Sequence, residues 1–202
     1  GFLVVMPDLF DKKPLDNEVM PLFEALEAPS TSAEEKASLM AAIMVKAGPF
    51  MAANDYAAKL PLVSKVLTVV HTLHSPKSIS LSGYCFGGKV AVLASSSPLC
   101  HPHIAAAACA HPAKAALSDW AAMKIPFLFN HAGSDFSFTT DDLGEATEAM
   151  EKAGVVHEVV VYEGMKHGFT TKGDVGDQTV VKERRRALEV TAGWFRKHSG
   201  GK

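Results

Sequence analysis

The sequence predicts an α/β fold, with a mostly parallel sheet covered by helices on both faces. Three observations point there. Short β-branched or small-residue runs alternate with helical stretches along the whole chain. The runs are apolar on both sides of the pleat, as in strands buried on both faces. No internal repeat, low-complexity tract or domain linker interrupts the alternation.

Each element has its own local signal. Phe2–Met6 is an apolar run closed by Pro7 and reads as a buried strand. Asp8–Pro29 is irregular, with one short helix. Ser32 and Glu35 have capping-box spacing, predicting a helix to about Lys46 that stops before Gly48-Pro49. Asn54 is placed to cap a longer helix through His74, with Pro61 causing a kink or a later start. Ser78–Leu81 reads as a strand, Gly83–Gly88 as a turn, and Lys89–Ser96 as a helix. His103–Ala110 is a small-residue strand, Ser118–Met123 a short helix, and Ile125–His131 a strand. Thr139 or Thr140 caps a helix ending at Gly154. Val155–Tyr162 is a valine-rich strand, and Asp177 to Lys197 forms the last helix. Five strands are expected in one domain, residues 1–202.

Composition narrows the classes of function. Of 202 residues, 48% are hydrophobic, enough for a buried core, and the net charge is only -2. Arg184, Arg185 and Arg186 are adjacent, and on a helix they point in three directions, which suits a solvated face better than a nucleic-acid contact. No apolar run reaches the roughly 20 residues of a membrane span. The three cysteines (Cys85, Cys100 and Cys109) argue against a disulfide framework and for a reducing, cytoplasmic setting. The chain enters a strand at residue 2 without an initiator Met. It is therefore expected to be N-terminally incomplete, and targeting stays open. There is no P-loop, dinucleotide fingerprint or C-x-x-C. Cys100-His101-Pro102-His103 reads as a surface loop rather than a metal site, since zinc needs three or four converging ligands.

Chemistry concentrates at Gly83-Tyr84-Cys85-Phe86-Gly87, a G-x-nucleophile-x-G pattern with Cys as nucleophile. A sharp strand-to-helix turn lifts the side chain above the carboxyl edge of the sheet, and flanking glycines let the backbone close in. The Phe86 N–H would supply one oxyanion donor, and the helix N-terminus favours thiolate. The competing reading is a buried Cys in a tight turn. Such an elbow requires an acid and then a histidine after later strands. Asp135 follows the strand Ile125–His131, and His167 follows Val155–Tyr162. Alone, Asp135 would be a turn residue and His167 a surface histidine; the order of all three favours a triad. His111 and His131 lie at or past strand ends, where they could bind a substrate carboxylate or phenol, or could simply be hydrogen-bonded rim residues.

Gly83-Tyr84-Cys85-Phe86-Gly87-Gly88, Ala132-Gly133-Ser134-Asp135, Lys166-His167-Gly168-Phe169 and Met6-Pro7-Asp8-Leu9-Phe10 together resemble the dienelactone hydrolase family over essentially the whole chain. The resemblance implies an α/β-hydrolase fold whose opening strands would precede residue 1. It implies a Cys85–His167–Asp135 triad and cofactor-free hydrolysis of a lactone or small ester. The implied partner is a small-molecule substrate, with no nucleic acid or membrane, in a monomer or weak homodimer. Phe10 would line the pocket, and Tyr84 and Phe169 would flank it. Members that act on anionic dienelactone carry an arginine four residues after the histidine. That position is Thr171 here, with Lys172 beside it as a weaker replacement. A non-catalytic binding protein and a redox-sensing thiol are the alternative functions.

Overall fold

The computed structural model describes residues 1–28 and 30–200 and divides into two compact units, Gly1–Lys59 and Leu60–Lys202. Pro29, the end of the expected irregular stretch, lies outside the described residues.

In the first unit, a 3-10 turn at Asn17–Val19 leads into α1 (Met20–Glu27), and α2 spans Ala33–Ala53. Val19, Leu26, Ile43 and Ala47 form the buried centre, with Leu15, Leu22, Phe23 and Leu39 packed around them. Ser32 and Glu35 cap α2 reciprocally: the Glu35 amide donates to the Ser32 hydroxyl (3.3 Å), and the Ser32 amide to the Glu35 carboxylate (2.8 Å). Two expectations are corrected here. The helix α2 runs through Pro49 to Ala53 instead of stopping near Lys46. Proline removes only one amide donor, and it falls close to the end, where little helix remains to disrupt. Asn54 then closes α2 rather than opening the next helix, its side chain donating to the Phe50 carbonyl at 2.9 Å. Phe2–Met6 is not a strand: no described strand pairs with it, and its side chains are exposed, Met6 at 91%. β composition makes a strand only where a second strand pairs with the run.

The second unit opens with α3 (Leu60–His74), where Pro61 sits in the first turn, which tolerates a missing donor. There follow β1 (Ser80–Tyr84), α4 (Phe86–Ser96), β2 (Ala106–Ala110), α5 (Leu117–Ala121), β3 (Phe127–Ser134), α6 (Thr140–Lys152), β4 (His157–Lys166) and α7 (Gln178–His198). The four strands pair in parallel in the order β1-β2-β3-β4. The sheet thus has four described strands rather than five, the difference being Phe2–Met6.

Layering follows from side-chain size. The strand β2 is Ala-Ala-Ala-Cys-Ala and fully buried. On one face, Ala106 and Ala108 leave room for Trp194 and Phe195 of α7, beside Leu128. On the other face, Trp120 of α5 stacks on Phe129 at 5.2 Å and meets Phe127 edge-on at 5.9 Å. On the α7 face, Asn130 ties the sheet to the helix. It donates to the Cys109 carbonyl and the Thr191 hydroxyl and accepts from the Tyr162 hydroxyl at 2.9 Å. The arginine triplet is spent on the surface of α7. Arg185 pairs with Glu189, Arg186 pairs with Glu183 and lies over the Tyr162 ring, and Arg184 borders a groove beneath α7.

Gly83 is where β1 and α4 meet. A Cβ there would sit 2.0 Å from the Gly87 carbonyl oxygen, whereas a Cβ on Gly87 would meet nothing within 4 Å. Gly83→Ala should therefore cost about 3 kcal/mol or more, and Gly87→Ala should stay within about 0.5 kcal/mol of wild type. Urea denaturation of both variants tests this. Equal midpoints would show that the turn can relax around a methyl group.

Candidate active site

Cys85 sits between β1 and α4 with φ 50° and ψ −114°. Positive φ is unfavourable for a residue with a Cβ, so the turn must be held from outside. The holding contacts come from the segment after β2. The Cys85 amide donates to the Ala110 carbonyl (3.3 Å), and the Cys85 carbonyl accepts from the Ala113 amide (3.1 Å). The side chain is thereby left at the surface, where Cys85 is exposed.

Asp135 and His167 are brought together by sheet register. The offset between β3 and β4 changes after Ala132↔Tyr162, so that Ser134 pairs with Lys166. Gly164, at φ 71°, lies within this bulge, a conformation that glycine adopts without strain. The residues following that last pair are Asp135 and His167. Nδ1 of His167 lies 2.9 Å from both carboxylate oxygens of Asp135. The carboxylate is shielded from solvent and also accepts from the amides of Ser137 (2.8 Å) and Phe138 (3.2 Å). Two backbone donors and one ring thus fix its orientation.

With Nδ1 turned to Asp135, the imidazole lies close enough to Cys85 for the two groups to shift each other's titration. Cys85 as a whole reaches the surface, but the protein atoms crowding its sulfur would by themselves raise the thiol pKa. The hydrogen bond and charge of His167, the Phe86 amide and the more distant charge of Lys172 outweigh it and leave the thiol below its ordinary value. His167 moves the opposite way. Burial opposes its charge, but Asp135 and Cys85 together raise it to about 10. The two shifts run in the same sense: each favours charge separation into thiolate and imidazolium. The remaining cysteines differ. Burial raises the thiols of Cys100 and Cys109, and neither has a cationic partner.

The other residues singled out from sequence fall into three groups. Tyr84 is exposed at 38% beside the elbow, and Lys172 is exposed on the His167 loop. His111, His131 and Phe169 are buried, at 0%, 1% and 2% exposure. They form the floor of the site rather than its open surface. For His131 the reason is that β3 continues to Ser134, which places it inside the strand against Phe129 and Phe138. Its two ring nitrogens have no hydrogen-bond partner among the described residues, unlike the rim histidine expected. Phe169 packs with Ala132, Tyr162, Met165 and Ala187. Phe10 belongs to the first unit, where it packs on Phe50 at 5.1 Å.

Sequence reasoning missed Phe136, which is 38% exposed with its ring 5.3 Å from that of His167. Its position directly after Asp135 was the available signal. It also missed Thr170, which bonds to His111 at 2.6 Å. Among the described residues, no group of three or more His, Cys, Asp or Glu could hold a metal ion. No single described helix is long and apolar enough to cross a membrane.

The family model of the dienelactone hydrolases matches residues 1–199. Among characterised relatives, the hydrolase tropI of Talaromyces stipitatus is 27% identical over 138 residues, covering 68% of this chain and 53% of that protein. The hydrolase pyvD of Aspergillus violaceofuscus is 23% identical over 201 residues, covering 98% of this chain and 70% of that protein. The chain thus spans about half the length of the first relative. Two solved structures share the fold. One, from Klebsiella pneumoniae, is assigned as a dienelactone hydrolase and superposes with a TM-score of 0.63 at 16% identity, covering 76% of this chain and 65% of that one. The other, the Est2 esterase of Thermogutta terrifontis, superposes at 0.57 with 20% identity, covering 72% and 64%. With an all-parallel sheet, a nucleophile-type elbow and a family match across nearly its full length, the chain belongs to the dienelactone hydrolase family and has an α/β-hydrolase fold.

Proposed function

We propose that this protein hydrolyses a lactone or small carboxylic ester through a thioester on Cys85, with His167 as acid and base and Asp135 as its orienting carboxylate. The observation that carries the reading is the bond from His167 Nδ1 to the enclosed Asp135 carboxylate, with Cys85 near enough to the same imidazole that thiol and ring shift each other's titration.

In the first half-reaction the thiolate attacks the substrate carbonyl. The Phe86 amide, which bonds the sulfur in the resting state, donates to the developing oxyanion. The tetrahedral intermediate collapses, the C–O bond breaks, and the His167 imidazolium gives its proton to the leaving alkoxide. Acylation removes the negative charge from sulfur. Part of what raises the His167 pKa is that charge. The imidazole of the acyl-enzyme is therefore less basic than in the resting enzyme, and so it is neutral and available to take a proton from water. Hydroxide adds to the thioester, the acid departs, and the proton returns the pair to thiolate and imidazolium. Asp135 holds Nδ1 throughout, which keeps the other nitrogen directed at sulfur and water. The chemistry draws on no cofactor or metal.

The surroundings bear on the substrate. Phe136 exposes aromatic surface beside the imidazole, and Tyr84, next to the thiol in sequence, is likewise partly exposed. A compact, largely apolar acyl or alcohol group suits them. Lys172 contributes a single distant positive charge, without the forked geometry that arginine brings to a carboxylate. A neutral ester or lactone is thus favoured over an anionic dienelactone. Three unpaired cysteines fit a cytoplasmic setting, and the protein would act as a monomer or weak homodimer.

Three outcomes are expected. Cys85→Ala should abolish turnover of p-nitrophenyl acetate, a loss on the order of 10⁴-fold or more, while the melting temperature changes little; full turnover by this variant would refute the nucleophile. Asp135→Asn should lower kcat by about 10²–10⁴-fold with a smaller change in KM. A kcat within twofold of wild type would remove the orienting role. Native protein should be alkylated by iodoacetamide at Cys85 alone, and the reaction should persist well below the ordinary thiol range. The sign follows from the pair: the depressed thiol keeps thiolate as pH falls, and the raised imidazole keeps its proton up to about pH 10. His167→Ala should move the alkylation midpoint upward, toward about 8.5. An unchanged midpoint would show that His167 does not stabilise the thiolate.

A further inference from the structure

His111 lies one residue past β2, at φ 38°, with no solvent exposure. Sheet register explains its place. Tyr84 pairs with Ala110, so the residues that follow them, Cys85 and His111, sit side by side. The same segment grips the elbow at three points. Ala110 accepts from the Cys85 amide, Ala113 donates to the Cys85 carbonyl, and Pro112 packs so closely on α4 that a Cβ on Gly88 would lie 2.8 Å from it. On its other side, Nε2 of His111 is 2.6 Å from the Thr170 hydroxyl. Thr170 is held within the turn that follows His167, where the Phe169 amide donates to Lys166 and the Thr171 amide to Gly168. The His111 ring also meets the His167 ring edge-on at 5.0 Å.

We propose that His111 is a positioning residue: by bonding Thr170 it ties the loop that carries His167 to the segment that grips Cys85, and so sets the separation of sulfur and imidazole. The assignment rests on the reading of Cys85 and His167 as the reacting pair. Its logic is geometric. Asp135 fixes the rotation of the His167 ring, but Asp135 arrives just past β3, and among the described residues its bonds go to His167, Ser137 and Phe138 rather than to the elbow. The link through His111 and Thr170 connects the base loop to the nucleophile's own backbone. Misplacing reacting groups by about 1 Å can cost on the order of 10²-fold in rate, so such a link is worth keeping. The charge state fits as well. Burial, reinforced by the neighbouring imidazolium of His167 and opposed only in part by Asp135, holds His111 down to about 3. It stays neutral at working pH and does not compete for the thiolate. Histidine is also among the few residues with a Cβ that occur readily at positive φ.

The test is Thr170→Val, which removes the hydroxyl and keeps the shape at a half-buried position, with Thr170→Ser as the rescue. His111→Phe breaks the same bond from the other end, and Thr170→Val carries the test if that buried change prevents folding. Two readouts are needed. One is the thiolate titration followed by absorbance at 240 nm, with Cys85→Ser as the blank. The other is kcat and KM for p-nitrophenyl acetate. In Thr170→Val the titration midpoint should rise by about one unit and kcat fall about tenfold or more, with KM within about twofold, and Thr170→Ser should restore both. A folded Thr170→Val protein with wild-type midpoint and kcat would overturn the proposal. If wild type itself has no low-pH thiolate that disappears in Cys85→Ser, the reacting pair is wrong and this inference falls with it. The blank tells the two failures apart.

Discussion

The strained backbone at Cys85 is the constraint on which the site depends. A residue with a Cβ at φ 50° and ψ −114° stays there only because neighbours allow nothing else. Gly83 admits the Gly87 carbonyl, and the segment after β2 bonds both the amide and the carbonyl of Cys85. The strain is put to use: it points the sulfur away from the sheet and toward the first turn of α4, with the Phe86 amide beside it. Relaxing the turn into ordinary helical geometry would fold the sulfur back among the small residues of β1 and β2.

Parallel pairing then delivers the rest of the chemistry to the same edge. In a parallel sheet every strand ends on the same side, so the residues following register partners become neighbours. That rule places His111 beside Cys85 and His167 beside Asp135. The bulge in β4 is decisive for the second pair, because without its change of register His167 would fall out of step with Asp135. Electrostatics completes the arrangement. Each partner's charge stabilises the other's, and the enclosed carboxylate prevents the imidazolium from turning away.

Much of this was legible in the sequence, for identifiable reasons. Gly83, Cys85 and Gly87 have a spacing imposed by steric demands, so the elbow could be read directly. Asp135 and His167 could be placed because loops after parallel strands share an edge. The capping signals at Ser32 and Thr139 were local, and both residues cap helices. What escaped depends on partners distant in sequence. Phe2–Met6 has strand composition, but pairing requires a neighbour that no local pattern supplies. The extension of β4 to Lys166 passes through Glu163 and Gly164, which read as a loop until β3 is set alongside. His131 and Phe169 could be assigned to the rim or to the core only once the surrounding layers were known. Pro49 looked like a helix stop, because a sequence window does not show how little helix remains after it.

The central claim is covalent chemistry at one sulfur. Wild-type protein mixed with a slowly turned-over ester, quenched in acid within the first turnovers and digested, should yield the peptide containing Cys85 heavier by the mass of the acyl group. That adduct should be cleaved by hydroxylamine, as a thioester is. An ester turned over at full rate with no acyl mass on Cys85, or with the mass on another residue, would contradict the account.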